Sequence, residues 1–206
     1  FKKNFPNSEV VCSDIRKLNF QKIKNNKQID LVVGGPPCPP FSKSRFYRKE
    51  KKRGMDDVEG RETIMLYFKA IKELRPKIFF FENVHGFVYK PHRESLEYLE
   101  EQSKKLDYEI TYDVVNCANF GVPQTRERFI CIGVDKKLPK FEFPQATHSN
   151  KNSLLQKWIT AGDVLNDLDY DLEEDQSMLA GSKDHELLKQ IPPGDNYLFF
   201  TKERNH

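Results

Sequence analysis

The chain has 206 residues, enough for one domain with a real core and not clearly enough for two. Hydrophobic residues make up 37% and charged residues 32%, the balance of an ordinary globular protein, and no apolar run approaches the roughly 18 to 20 residues of a membrane-spanning helix. A net charge of +3 is too small to argue for a polyanionic partner by itself. Its distribution is uneven. Residues 43–53 hold seven Lys or Arg against the single Glu50, whereas residues 163–175 hold seven acids and no base. The basic stretch carries Phe46 and Tyr47 and suits either a solvated loop or a track for phosphates. Cysteines stand at 12, 38, 117 and 131, with no pair at the two-residue spacing of a zinc or redox motif. Reduced thiols, no metal and a cytoplasmic location are therefore expected. The start at Phe1 rather than Met reads as a piece of something longer.

Short apolar runs alternate with helical patterns, the mark of βαβ units around a mostly parallel sheet. Residues 9–14 (EVVCSD) read as a strand, and residues 29–33 (IDLVV) as a second, stopped by Gly34-Gly35-Pro36-Pro37. Residues 63–74 place Ile64, Phe68, Ile71 and Leu74 on one helical face, and Pro76 ends that helix. A fully apolar strand follows at 77–81 (KIFFF), then a helix at 92–106. Strands at 110–115 and 129–134 are joined by about a dozen residues, short for a crossover helix, so an antiparallel pair is expected. That matters for function. Ligands of open α/β sheets sit at the carboxyl ends of the parallel strands. A last strand running backwards brings its beginning to that same rim. Beyond residue 140 the chain is polar and punctuated by prolines, with one helix near 160–168.

Three segments carry chemistry. Gly35-Pro36-Pro37-Cys38-Pro39-Pro40-Phe41-Ser42 puts a cysteine after a buried strand in a turn stiffened by four prolines. It suits a rigidly held nucleophile or a small buried filler, and the spacing alone does not decide between them. In Phe81-Glu82-Asn83-Val84, Glu82 is either a cap or ion-pair member, or a proton donor facing the cysteine. Asn83 either caps or ties the cysteine turn. In residues 116–128 (NCANFGVPQTRER), Arg126 and Arg128 alternate into a strand and point to one side. They suit a salt-bridged edge or guanidinium groups aimed at a carbonyl or phosphate.

In this order and at about this spacing, Pro-Cys, Glu-Asn-Val and Gln-x-Arg-x-Arg resemble the DNA (cytosine-5) methyltransferase family. Residues 12–18 (CSDIRKL), 61–64 (RETI), 144–148 (PQATH) and 191–194 (IPPG) are similar to further family segments. The resemblance implies a Rossmann-like S-adenosylmethionine-dependent methyltransferase fold with an antiparallel last strand. It implies residues 1–140 as part of the catalytic domain and 141–206 as the lead into a target-recognition domain. It also implies methyl transfer to carbon-5 of a flipped-out cytosine in double-stranded DNA, as in restriction-modification systems. Cys38 would be the nucleophile, Glu82 the group at N3 and Arg128 the group at O2. Ser42, Lys43 and Arg45 would hold phosphates, with Asn83 and Arg126 completing the substrate side. Asp14, Ile15, Pro37 and Ile64 would hold S-adenosyl-L-methionine. The family's glycine-rich cofactor loop is expected before Phe1, and Pro39 stands where Gln is usual. A same-fold RNA methyltransferase, an inactive subunit or binding module, and a redox thiol protein are the competing readings.

Overall fold

Four of the five apolar runs build one sheet. The computed structural model describes residues 2–42, 52, 54–165, 185–192, 195 and 199–200. Strands β1 (Leu31–Gly34), β2 (Ile78–Val84), β3 (Tyr108–Asn116) and β4 (Glu127–Asp135) lie in the order β1-β2-β4-β3. β1 and β2 are parallel, whereas β4 is antiparallel to both β2 and β3. Three strands therefore run one way and the last in sequence runs against them, as expected for this Rossmann-like fold. The register pairs Gly34 with Phe81 and Val84 with Arg128, so the ends of β1 and β2 and the start of β4 share one edge.

The helices follow from local sequence. α1 (Phe20–Lys24) is capped by Asn19, whose side chain accepts from the Lys22 N–H. α2 (Val58–Leu74) starts at Asp57, whose carboxylate accepts from Gly60 N, and ends at Arg75 in the left-handed conformation just before Pro76. Its inward residues Ile64, Tyr67, Phe68 and Ile71 repeat at helical spacing. α3 (Arg93–Lys105) turns Ser95, Leu99 and Ser103 inward at four-residue intervals.

Both longer helices pack on the face of β2 that carries Phe79 and Phe81, and the core there is largely aromatic. Tyr67 meets Phe68, Phe79 and Phe81 with ring centroids 5.3–6.2 Å apart, in edge-to-face geometry. The Tyr67 hydroxyl donates to the Phe80 carbonyl at 2.8 Å and so pins α2 to β2. Burial pushes its pKa well up, which keeps it a donor. Tyr108 donates to the Pro76 carbonyl, and burial raises its pKa to about 12.

Residues 9–14 do not form the expected strand. They are extended and exposed, with Val10 and Val11 about half accessible. A strand exists only when a neighbour accepts its ladder, and among the described residues none lies beside them.

The chain divides into two compact units, Phe1–Val164 and Leu165–His206. Residues 141–164 pack with the first. Thr147 and His148 both donate N–H to the Asn119 carbonyl at 3.0 Å, and the Trp158 indole donates to Asn119 Oδ1 at 3.1 Å. The short helix α4 (Ala161–Leu165) stands at the expected position. In the second unit, α5 (His185–Leu188) is followed by Lys189, which pairs with Glu186 at 3.3 Å.

Phe79→Ala tests this core. The side chain is fully buried. Its loss should cost about 3–5 kcal/mol, read as a lower midpoint in urea unfolding of the complete protein. A change within error would show that the aromatic cluster is not what holds α2 to the sheet.

Candidate active site

The Cys38 turn is built from the backbone outward. β1 ends at Gly34, where the Tyr67 ring lies over the chain. Prolines then restrict φ on both sides of Cys38, which adopts φ −88°, ψ −8°. The turn closes with Phe41 N–H donating to the Cys38 carbonyl at 2.9 Å, and Phe41 is itself fully buried against Phe87 and His92. A buried aromatic three residues on thus anchors an exposed thiol. At Gly86 a Cβ would stand 2.0 Å from the Phe41 carbonyl oxygen, so only glycine lets the segment after β2 pass this turn so closely.

Asn83 ties the turn to β2. It is 1% exposed, its amide donates to the Pro36 carbonyl at 3.3 Å, and its Oδ1 accepts from Val84 N–H. Of the two roles open in the sequence, tying the turn is the one observed. Along β2 it alternates to the core side with Phe79 and Phe81. Glu82 takes the other side. Its carboxylate lies against Gly35, where a Cβ would stand 3.2 Å from Oε2, and Arg128 Nε is 2.9 Å from Oε1. The Arg128 and Glu82 side chains are 23% and 36% exposed, so the pair is half-buried at the rim. The cysteine turn, Glu82 and Arg128 thus meet at one edge of the sheet.

Two cavities open at this edge. The larger, about 520 Å³, is lined by Ser42, Val84, Tyr89, Arg126, Arg128 and neighbouring residues. The smaller, about 250 Å³, is lined by Asp14, Ile15, Arg16, Pro37, Glu62 and Thr63 among others, with Pro39 and Pro40 also on its wall. The chain from Pro37 to Ser42 passes from one to the other, and Cys38 lies on that stretch. Asp14, Ile15 and Pro37 line the smaller cavity. Ile64 does not. It is fully buried in the aromatic core, because α2 turns positions 64, 67, 68 and 71 inward and presents Thr63 to the cavity instead. Lys43 and Arg45 lie outside the described residues, as does most of the basic stretch.

The sequence reading missed two features of the rim. His85 Nδ1 lies 2.9 Å from Glu127 Oε2, and both residues line the larger cavity. Arg16 and Glu62 line the smaller one. An ionic residue beside each motif was the only available signal, and a charged surface residue is too common to be informative alone. Among the described residues, no cluster of His, Cys, Asp and Glu has the geometry to hold a metal, and no helix is long and apolar enough to cross a membrane.

An α/β sheet that gathers a thiol, a carboxylate and a guanidinium at the carboxyl end of its parallel strands has the layout of a Rossmann-like domain, whose ligands sit at that edge. The comparisons make this specific. The sequence profile of the C-5 cytosine-specific DNA methylases matches residues 1–197, and the chain belongs to that family. It is 31% identical to the Type II methyltransferase M.SacI of Streptomyces achromogenes over 96% of this chain and 53% of that protein. It is 35% identical to M.AquIA of Picosynechococcus over 74% of this chain and 64% of that one. Among solved structures, a prophage-encoded DNA modification methyltransferase of E. coli superposes with a TM-score of 0.59 at 27% identity, over 82% of this chain and 44% of that one. The methyltransferase EhMeth of Entamoeba histolytica shares the fold, with a TM-score of 0.53 at 19% identity, over 78% of this chain and 45% of that one. The chain thus spans between 37% and 64% of the length of such curated relatives.

Thiol labelling tests the exposure pattern. Cys12 and Cys38 are exposed, whereas Cys131 is buried and burial raises its pKa to about 12. At pH 8, iodoacetamide should modify Cys12 and Cys38 in the folded protein and reach Cys131 only after denaturation. Peptide mass spectrometry reads this directly, and equal labelling of Cys131 would mean that β4 is not in the core.

Proposed function

We propose that this chain carries the catalytic rim of a DNA cytosine-5 methyltransferase of restriction-modification type. The observation that supports this best is the adjacency of Glu82 and Arg128 at 2.9 Å beside the Cys38 turn. N3 and O2 are neighbouring atoms on one edge of cytosine. A carboxyl group and a guanidinium held side by side match that edge, and the thiol then faces the ring at carbon-6.

Carbon-5 of cytosine is a weak nucleophile, and covalent addition makes it a better one. The Cys38 thiolate forms a bond to carbon-6, and the ring's electron pair moves to carbon-5. Glu82 gives a proton or a strong hydrogen bond to N3, which lets the ring accept the attack. Arg128 stabilises the charge at O2, and Arg126 braces the rim or binds phosphate. Methyl transfer leaves S-adenosylhomocysteine behind, carbon-5 then loses its proton to a base or a water, and any proton taken by N3 returns to Glu82. The carbon-5–carbon-6 double bond re-forms, and the bond to Cys38 breaks to return the thiolate.

The smaller cavity suits one end of S-adenosyl-L-methionine. At about 250 Å³ it is smaller than the roughly 300–1,000 Å³ of a whole small-molecule site. Its apolar walls at Ile15, Pro37 and Leu66 with the Asp14 carboxylate match a purine with an exocyclic amine. When bound, this group supplies an electrophilic methyl. Asp14, Ile15 and Pro37 hold and orient it, and the proline-stiffened turn fixes Cys38 relative to its cavity.

The base must leave the duplex to reach Cys38, at a cost of about a few kcal/mol of unstacking. Ser42 lines the larger cavity next to the nucleophile, and with Lys43 and Arg45 it begins the stretch that would meet the phosphates of double-stranded DNA. The soluble, cytoplasmic setting of such an enzyme follows from this reading.

In the complete protein, Cys38→Ser should abolish methyl transfer, because a hydroxyl is far less ionised than a thiol near neutral pH. Glu82→Gln should lower it about 100-fold or more while leaving the fold intact. DNA with 5-fluorocytosine at the target should become covalently trapped, since fluorine blocks the loss of the carbon-5 proton. Trapping that persists in Cys38→Ser would assign the attack elsewhere. Transfer to RNA in place of DNA would redirect the substrate while keeping the chemistry.

A further inference from the structure

The loop between β3 and β4 carries Arg126 to the larger cavity, and residues from beyond β4 return to hold that loop. It comprises residues 117–126, of which Ala118 alone is buried, while Val122, Gln124, Thr125 and Arg126 are exposed. With so little packing, the order of such a loop has to come from hydrogen bonds. Asn116 fixes its inner end. The Asn116 Oδ1 accepts from the N–H groups of Ala118 at 3.1 Å and Arg126 at 3.2 Å. Cys117 N–H donates to the Arg126 carbonyl at 3.0 Å, so both backbone groups of Arg126 are tied to the start of the loop.

Asn119 fixes the outer end. Its carbonyl accepts from the N–H groups of Thr147 and His148 at 3.0 Å, with the Thr147 hydroxyl at 3.5 Å. Its Oδ1 accepts from the Trp158 indole at 3.1 Å. Gly121 has φ +81°, and a Cβ there would stand 2.9 Å from the His148 ring, which therefore lies directly on the loop. Residues 147–158 are joined to one another as well. Gln156 N–H donates to the Thr147 carbonyl at 3.2 Å, and Ser149 N–H to the Gln156 carbonyl at 2.7 Å. They form a strap across the loop.

We propose that Asn119 is a positioning residue for methyl transfer, its Oδ1 bond to Trp158 holding the loop so that Arg126 meets the rim beside Arg128. This rests on the methyltransferase reading above and deepens it. The bonds to the Asn119 carbonyl are available to any residue at that position, so the indole bond is what this side chain adds. An indole N–H can only donate, and residue 119 must therefore offer an acceptor. Aspartate offers one at the same reach, and leucine offers none. A misplacement of about 1 Å in a positioning group slows chemistry by about 100-fold.

The test is single-turnover methyl transfer by the complete protein on unmethylated double-stranded DNA amplified in vitro. Active sites are counted by covalent trapping on the same DNA amplified with 5-fluoro-dCTP. A residue that only stabilises the fold changes how many sites are active, whereas a positioning residue changes how fast each one works. Asn119→Leu and Trp158→Phe should each lower the rate constant about tenfold or more at full trapping amplitude. Trp158→Phe keeps a ring and loses only the donor, so it serves where Asn119→Leu fails to fold. Asn119→Asp should stay close to the wild type. The variant carrying both Asn119→Leu and Trp158→Phe should be no slower than the slower single one, since both cut the same bond. Unchanged rate constants in the single variants would overturn the positioning role, as would a loss confined to the amplitude. Losses that multiply in the double variant, or an Asn119→Asp enzyme as slow as Asn119→Leu, would overturn it too. Wild-type protein that neither transfers methyl nor traps would instead overturn the methyltransferase reading, and this inference with it.

Discussion

The reversed strand β4 is the constraint on which the rim depends. A parallel strand delivers its last residues to the ligand edge, so every residue preceding it is carried to the far side of the sheet. β4 lies between β2 and β3 and runs against both. Its first residues, Glu127 and Arg128, therefore reach the edge where β1 and β2 end. The register that pairs Val84 with Arg128 sets the guanidinium one diagonal step from Glu82. Cross-strand diagonal neighbours lie within reach of a long side chain, and the 2.9 Å contact follows from that geometry. Slipping β4 by one residue would turn Arg128 to the core side and Phe129 out of it. Full burial of Phe129 is thus what keeps the arginine in place.

The nucleophile is held by a different principle. Cys38 itself is exposed. Its position comes from what surrounds it: four prolines that remove backbone freedom, Phe41 buried beyond it, and Asn83 reaching from β2 to the Pro36 carbonyl. Conformational entropy is the largest cost of ordering an exposed loop. Proline lowers that cost in advance by restricting the unfolded chain. A reactive side chain can then stay accessible and still be fixed.

The two cavities divide the labour of the site. One is rimmed by arginines and polar groups, the other by prolines, aliphatic carbons, Arg16 and the carboxylates of Asp14, Glu59 and Glu62. The chain between Pro37 and Ser42 separates them. A group that must be transferred from one ligand to the other has to pass this turn, where the thiol stands.

Much of this was legible in the sequence, because it depends on local rules. Alternation and apolar runs located four of the strands, Pro76 ended α2, and the short connection between β3 and β4 required a hairpin. That hairpin brings Arg128 to the rim. Residues 9–14 defeated the same rules, since a β-prone segment becomes a strand only beside a partner and sequence does not reveal the partner. Ile64 and Asn83 face the core for a related reason. Helical phase separates Ile64 from Thr63 by about 100°, and strand alternation puts Asn83 opposite Glu82. A motif names a neighbourhood without saying which way each member faces. The contact of Arg16 Nη1 with Glu62 Oε2 likewise depends on residues brought together by folding, 46 positions apart. Residue types and spacing determined which chemistry this chain carries. Only the tertiary structure decided which side chains face it, because facing is a property of packing against residues distant in sequence.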